Sequence, residues 1–418
     1  MTRRVLSILA LLASCFVGAG AAATTTTAAE AASGPSIRYL PLGAPAGRSQ
    51  AVVVDQAPLV FTRQLFSTGS DGRLVGAGSI EMQSEQLLTN LETVLKAAGS
   101  SLDKLVRLHL YALSHDAADR VIEQLCKRVD SEVRPAITIV LTPLPRREAL
   151  VAADAIAVAA SAGRGRTLVA PKVAADFGPS NGAAIRADAA ILPSGGAAYL
   201  SGVPAAGGLT ESAVARAMQI LLNTLRQLNL SPADIVQIKV FLSPASSAED
   251  VLRQIDPLFT HQPTPPVTFV EWLASVPVEI ELVAQLPSQA KTQPALEYFT
   301  PADFRPSPGF SRAALVRGPR QIFTSGLSPR IEGTIGAQTR DVFRQLQEIT
   351  AAAGSDMGHL AKGTYYTSAD NASHALNKVR PEFFDPARPP AASKVMVHGV
   401  GQAGRTITID MIAVGSDP

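Results

Sequence analysis

Apolar and polar positions follow the same succession of periods three times along the chain. From Asn90 to Tyr111, from Ile220 to Phe241 and from Gln345 to Tyr366, helical spacing runs into a Gly or Asn turn and then into alternation. In the first copy Leu87, Leu88, Leu91, Val94, Leu95 and Ala98 share one helix face, and Gly99 stands where a C-cap belongs. Val106, Leu108 and Leu110 then alternate with Arg107, His109 and Tyr111, which predicts a strand with one buried and one more polar face. The second copy repeats this with Leu221, Leu225 and Leu228, then Val236, Ile238 and Val240. The third has Val342, Leu346 and Ile349, then a less apolar strand around 363–366. A short helix and two strands close each copy, at 137–141 and 151–159, 267–272 and 278–286, and 394–398 and 407–414.

The copies start about 125 to 130 residues apart, too far for a solenoid repeat and right for a small domain. The pattern predicts an α+β class, with mostly antiparallel sheets carrying helices on one face. Three domains are expected, at residues 37–161, 167–287 and 296–416, with linkers near 161–166 and 287–294.

Composition narrows the function classes. A hydrophobic content of 46% against 17% charge marks a globular body. The net charge is +2 with no long basic run, so nothing in the charge pattern predicts a nucleic-acid partner. The six histidines never stand at metal-ligand spacing, so no metal is expected. No P-loop, nucleophile elbow or dinucleotide fingerprint occurs. Cys126 follows Val121, Ile122 and Leu125 in a helical pattern and reads as a core residue rather than a nucleophile.

The first 23 residues have the form of an export signal. Thr2, Arg3 and Arg4 precede an apolar run from Val5 to Val17, too short to span a bilayer, and Ala19-Gly20-Ala21 or Ala21-Ala22-Ala23 suits cleavage. Residues 24–36 then read as a flexible tether. The expectation is a periplasmic or secreted protein with no membrane-spanning segment after cleavage. Leu12-Ala13-Ser14-Cys15 also fits a lipobox, which would anchor the chain through Cys15; Phe16 and Val17, which prolong the apolar run, speak against it.

Several phrases resemble the Rid family (YjgF/UK114, reactive-intermediate deaminases). They are KAAGSSLDKLVRLHLYAL, RPAITIVLTPLP and DAIAVA in the first copy, and YLSGVP, PPVTFVEW and VEIELVA in the second. The third has GFSRAALV, IFTSGLSP, ALNKVRPEFF, PPAASKVMV and ITIDMIAV. The resemblance covers about residues 37 to 416. It implies chorismate-mutase-like domains, which in single-domain members assemble as trimers with ligand clefts between subunits. Three copies in one chain then imply a monomeric, covalent pseudo-trimer with its sheets inward. No cofactor is implied.

Active members of that family hydrolyse 2-imino acids, or their enamine tautomers, to 2-keto acids and ammonia. The chemistry needs a guanidinium to clamp the substrate carboxylate and a Glu to orient water. The slot for the Arg holds Ile137, Val267 and Ala392 in the three copies. The slot for the Glu holds Ala152, Glu279 and Thr408. No single copy keeps both groups, so the catalytic residues stay unassigned.

Ligand-contact candidates are strongest in the third copy. Lys394 lies two residues beyond Ala392 on the same strand face and offers an ammonium in place of the guanidinium. Asn377, Ser325, Gly326 and Phe310 match cleft-lining positions of the family, and Thr408 and Glu279 occupy the water-orienting slot. Arg48 falls near the aromatic slot of the first copy; Arg63-Gln64 replaces its Ser-Gly pair, and a surface position is the commoner outcome for either arginine. Three functions fit: an imine or enamine deaminase, a binding protein for a small carboxylate metabolite, and a non-catalytic envelope interaction or structural module.

Overall fold

The computed structural model describes residues 36–177, 185–207, 213–287 and 293–416. The expected leader and nearly all of the tether lie outside these residues. The first copy contains β1 (Ser36–Leu40), β2 (Ala51–Asp55), β3 (Leu59–Thr62), α1 (Ile80–Ala97), β4 (Leu105–Ala112), α2 (His115–Cys126), β5 (Ala136–Leu141) and β6 (Val151–Val158). The second contains β7 (Thr167–Val169), β8 (Ala189–Leu192), β9 (Ala197–Ala205), α3 (Ala213–Gln227), β10 (Ile235–Leu242), α4 (Ala248–Ile255), β11 (Val267–Glu271) and β12 (Val278–Gln285). The third contains β13 (Leu296–Phe299), β14 (Ala313–Val316), β15 (Arg320–Thr324), α5 (Ile335–Ala352), β16 (Leu360–Thr367), α6 (Asp370–Val379), β17 (Ala391–Met396), β18 (Gly399–Val400) and β19 (Ile407–Val414).

The expected turn after the long helix is present in all three copies. Gly99, Asn229 and Gly354 have φ of 69°, 57° and 79°, the left-handed conformation that ends a helix and that Gly and Asn tolerate best. The next strand pairs in parallel with the one after the short helix (β4 with β5, β10 with β11, β16 with β17) and antiparallel with the last strand. The α+β reading with mostly antiparallel sheets holds.

The sheets do not coincide with the copies. β1 and β2 extend the third copy's sheet, in the order β1-β2-β15-β19-β16-β17. β7 and β8 extend the first copy's sheet beside β3, and β13 and β14 extend the second copy's sheet beside β9. Each copy thus lends its leading hairpin to a neighbour, in a closed cycle. The connections that cross between sheets each contain a proline (Pro58, Pro193, Pro319), which offers no N–H to a strand ladder.

Three of the apolar cores lie between a sheet and its helices. Leu87, Leu91 and Val94 of α1 pack on Leu108 and Leu110, with Val169 and Ala189 of the borrowed hairpin. Val214, Leu221 and Leu225 do the same over Ile238 and Ile280, with Ala313 and Leu315. Val342, Leu346 and Ile349 pack over Ile409 and Met411, with Ala51 and Val53. The opposite sheet faces meet in common cores that draw on all three copies, among them Phe61, Tyr199 and Phe323 in one and Tyr111, Phe241 and Tyr366 in the other.

Between these central cores lies a buried polar layer built from the polar faces of β4, β10 and β16. Arg107 donates to the carbonyls of Thr324 (2.9 Å) and Met411 (2.6 Å) and stands 3.5 Å from Asp410. His109 bridges Asp154 (2.9 Å) and Asp410 (3.3 Å), and Tyr111 donates to Asp154 at 2.6 Å. Lys362 pairs with Glu281 at 2.7 Å, and Ser393 donates to the same carboxylate. Lys239, also buried, sits in the field of Asp154 and Asp410. Despite the desolvation that opposes it, the field of His109 and Lys239 holds Asp154 down at about 2.

Cys126 differs from its expectation: it is exposed. Val121, Ile122 and Leu125 fill the inner face of α2, and the next residue, about 100° further round, turns outward.

Because every sheet is completed by a neighbour's hairpin, the chain from residue 36 onward is expected to unfold in one transition. Scanning calorimetry should return a van't Hoff enthalpy equal to the calorimetric one. Excised residues 167–287 should give no folded monomer. Three separable transitions, or a stable single copy, would contradict the exchange.

Candidate functional site

The hairpin cycle sets the same junction three times. At each, the strand that carries the Arg slot meets the Ser-Gly slot of another copy. Gly326 N–H donates to the Ile137 carbonyl (3.1 Å), Gln64 N–H to the Val267 carbonyl (3.0 Å), and Ala392 N–H to the Ser201 hydroxyl (2.8 Å). The candidate residues therefore divide between two clefts. Ser325, Gly326 and Thr408 belong to the junction of the first and third copies. Lys394, Asn377, Phe310 and Glu279 belong to the junction of the second and third.

The first–third junction encloses a cavity of about 450 Å³ lined by Arg48, Ile137, Ile139, Ser325, Gly326 and Arg330, among others. Thr408 lies directly behind Gly326, where a Cβ would come within 2.8 Å of its methyl. Its hydroxyl is engaged with Ser328 (2.8 Å). Arg48 is spent on Asp119 at 2.9 Å. Arg330 stands 3.7 Å from Glu348. The Arg slot offers only an isoleucine, so this cleft has neither a guanidinium on that strand nor a carboxylate at the water-orienting position.

The first–second junction is plugged. Gln64 replaces the glycine, and its side chain bonds both backbone groups of Phe269, at 3.0 and 3.2 Å. Arg63 is half-buried rather than free at the surface, paired with Asp176 and with Asp188 (2.8 Å). Desolvation opposes its charge, but the two carboxylates outweigh it and raise its pKa. A largely apolar cavity of about 290 Å³ remains beside Phe177, Val267 and Phe269.

The second–third junction has a different chemistry. Ser201 accepts from Ala392 N–H and donates to the Ser311 carbonyl, which locks β9 to β17. Gly202 follows, and a Cβ there would overlap the carboxyl of Glu279 and stand 2.7 Å from the Ser393 hydroxyl. Only a glycine leaves room for that carboxyl. Lys394, half-buried, reaches Asn377 Oδ1 at 3.3 Å. Arg380, the residue that caps α6, lays its guanidinium against Gly309 and over the ring of Tyr365, 5.4 Å from the centroid. Arg312 stacks on Phe304 (4.2 Å) and Phe310 (5.3 Å).

Two groups are perturbed there. Burial, and then the charge of Glu281, push the Glu279 carboxyl up to about 8, against the pull of Lys362 and Lys394. Lys394 is lowered, by desolvation first and then by Arg380, with Glu279 acting the other way. The acid of one copy and the ammonium of another thus lie in each other's field. Clefts between copies were expected from the sequence, but which copy meets which was not, and Ser201, Gly202 and Arg380 were not among the candidates. The YLSGVP phrase was the available signal for the serine and glycine, and ALNKVRPEFF, which also holds Asn377, was the one for Arg380.

The family model described as Endoribonuclease L-PSP matches residues 42–159 and 301–415, more than half of the chain. The chain belongs to this family, the Rid or YjgF/UK114 proteins. Residues between those stretches, which carry the second copy, lie outside the matched Rid segments. Protein DfrA of Myxococcus xanthus is 30% identical over 112 residues, which are 25% of this chain and 84% of DfrA. Among solved structures, the YjgF-family protein NMB1025 of Neisseria meningitidis is 27% identical, with 29% of this chain and 97% of its own covered and a TM-score of 0.23. Escherichia coli TdcF, solved with bound serine, is 29% identical, with coverages of 23% and 81% and a TM-score of 0.22. Each Rid relative matches over roughly the length of one copy.

Glu279 makes stability depend on pH. Its unfolded value is 4.5 and its folded value about 8, so in that window the native state holds a proton that the unfolded chain has released. Stability contributed by this group therefore falls as pH rises from about 5 to about 8, by an amount on the order of a few kcal/mol. Urea titrations should show that slope in the wild type and a flatter one in Glu279→Gln; equal slopes would contradict it. At the plugged junction, Arg63→Ala strands two buried carboxylates. It should cost roughly 3–5 kcal/mol in the same assay, whereas a change below about 1 kcal/mol would mark the pair as solvated.

Proposed function

We propose that this protein is an imine or enamine deaminase whose one working cleft is the junction of the second and third copies. The reading rests on Glu279 and Lys394, which different copies deliver to one cleft. Its substrate class is a small 2-imino acid or the enamine tautomer. The ammonium of Lys394, with Asn377 beside it, takes the carboxylate end that a strand guanidinium holds in other members of the family. A point charge is a weaker clamp than a planar fork, so affinity for a simple monocarboxylate is modest.

Water then adds to C2 of the imine. Glu279 as carboxylate accepts the water proton and passes it to the nitrogen, which leaves as ammonia while the C2–O bond becomes the ketone. In sum an iminium acid and water give a 2-keto acid and ammonium. With its pKa near 8, Glu279 is mostly protonated at neutral pH. The ionised fraction, and with it the rate, should climb with pH toward a plateau above about 8.

The other two junctions favour a structural role. At the first–second one the arginine is consumed by Asp176 and Asp188 and the glycine slot is filled by Gln64. The export pattern in residues 1–23 supports a periplasmic or secreted location, or an envelope-bound one through Cys15.

The test is 2-keto acid release from 2-iminopropanoate generated in situ. The wild type should exceed buffer, with the rising pH profile. Lys394→Ala should raise KM about tenfold, the loss of one charge-assisted contact. Glu279→Gln should lower kcat about 100-fold. No acceleration by the wild type would remove the deaminase and leave metabolite binding.

A further inference from the structure

The same cleft holds more positive charge than a monocarboxylate neutralises. Lys394 and Arg380 converge on one spot: Arg380 lies over the ring of Tyr365, which is the register partner of Lys394 on β16, and Asn377, which Lys394 reaches, stands one helical turn before Arg380. Desolvation, and then the field of Arg380, lower the lysine's pKa. Neither forms an ion pair with any described residue. Lys394 meets only the neutral oxygen of Asn377. Arg380 meets a ring face and a glycine, and its Nε is buried with no hydrogen-bond partner. Most other half-buried arginines among the described residues are ion-paired: Arg48 with Asp119, Arg63 with two aspartates, Arg186 with Asp256. The third guanidinium of the cleft, Arg312, has Asp303 in its field. The carboxyl whose field reaches Lys394 is that of Glu279, mostly protonated at neutral pH.

Two uncompensated cations kept side by side in a partly buried cleft repel each other and lose hydration. A ligand with a single negative charge relieves one of them. A ligand with two relieves both.

We propose that Lys394 and Arg380 together make this cleft a site for dianions, and that its substrates are dicarboxylic 2-imino acids, with dicarboxylic 2-keto acids as products. The proposal rests on the deaminase reading above and adds the second acid group. Lys394 with Asn377 takes one carboxylate. Arg380, three residues beyond Asn377 and so on the same side of the helix end, takes the other with its fork. Arg380 thus restores to the cleft the guanidinium that Ala392 cannot supply, from the helix instead of the strand. Gly309 is part of this device: any Cβ there would stand 3.0 Å from Arg380 Cζ and would overlap its terminal nitrogen.

The experiment compares two ligands that differ only at the far end, 2-oxoglutarate and 2-oxopentanoate, by titration calorimetry on the full chain. The wild type should bind 2-oxoglutarate at least about tenfold more tightly, one charge-assisted contact. Arg380→Met should bring the ratio to about one by weakening the dicarboxylate alone. Because Arg380 also packs on Tyr365, Gly309→Ala serves as a second variant that keeps the charge but displaces the guanidinium; it too should reduce the ratio, with circular dichroism unchanged. Equal affinity for both ligands in the wild type, or an unchanged ratio in both variants, overturns the dianion site and leaves the carboxylate reading intact. Binding of neither ligand overturns both.

Discussion

Three short connections, each carrying a proline, decide how this molecule is put together. Between β2 and β3 only Gln56, Ala57 and Pro58 intervene. A hairpin there would pair the two strands within one copy. Instead Gln56 N–H donates to the carbonyl of Pro319, the corresponding proline of the third copy, at 2.8 Å, and Asp55 pairs with Arg320 at 2.8 Å. The chain steps from one sheet to the next at that point. Repeated in the other two copies, the step closes a cycle in which no sheet is complete without another copy. Every Arg slot then faces a foreign Ser-Gly slot, which is why all three clefts are interfaces.

The cycle also forces polar strand faces inward. A buried layer of this kind is tolerable only if its charges balance and its donors find acceptors. Arg107, Lys239 and Lys362 supply three cations; Asp154, Glu281 and Asp410 supply three anions, all buried. Each copy supplies one cation and one anion, and contacts run between copies: Arg107 of the first to Asp410 of the third, Lys362 of the third to Glu281 of the second. Such pairs add little net stability, since desolvation offsets their attraction. They do penalise every arrangement that would leave one partner alone. The layer therefore acts on specificity of assembly, with each copy labelled by its own charges. Glu279 sits beside this layer, and its raised pKa follows from burial first and then from the neighbouring Glu281.

Periodicity was enough to place the helices, their capping turns and the closing strands, because each of those features is local. Leu87 through Ala98 declares its buried face, and Gly99 its turn, without reference to the rest of the chain. The Arg and Glu slots were likewise legible as substitutions, Ile137, Val267 and Ala392 for one group, Ala152 and Thr408 for the other. What local pattern does not carry is which copy meets which. Ser325 and Gly326 stand in the third copy but serve the first, while Lys394 of the third lies in the field of Glu279 of the second. Arg380, inside the quoted ALNKVRPEFF phrase, did not read as a site residue for another reason. It follows a short helix, where an arginine ordinarily means a solvated end, and only Gly309 and Tyr365 on the facing surface make it a cleft residue. The exposed Cys126 shows the same limit at small scale, since one residue of helix rotation separates core from surface.

A fused trimer can also do what a homotrimer cannot. When three identical chains assemble, every substitution appears in all three clefts, so a change that fills one destroys them all. Here Gln64 fills the glycine slot of one junction and Thr408 leaves a second without its acid, while Glu279, Gly202, Lys394 and Arg380 accumulate at the third. The two altered junctions hold the molecule shut: Arg63 gains buried partners and Gln64 gains backbone bonds that an open cleft would forgo. The third can then keep groups that are unfavourable for folding, two adjacent cations and a carboxyl out of its ordinary range, because the stability they cost is supplied by its neighbours. Division of labour among the copies is thus a consequence of covalent linkage, and the uncompensated charge is where it shows.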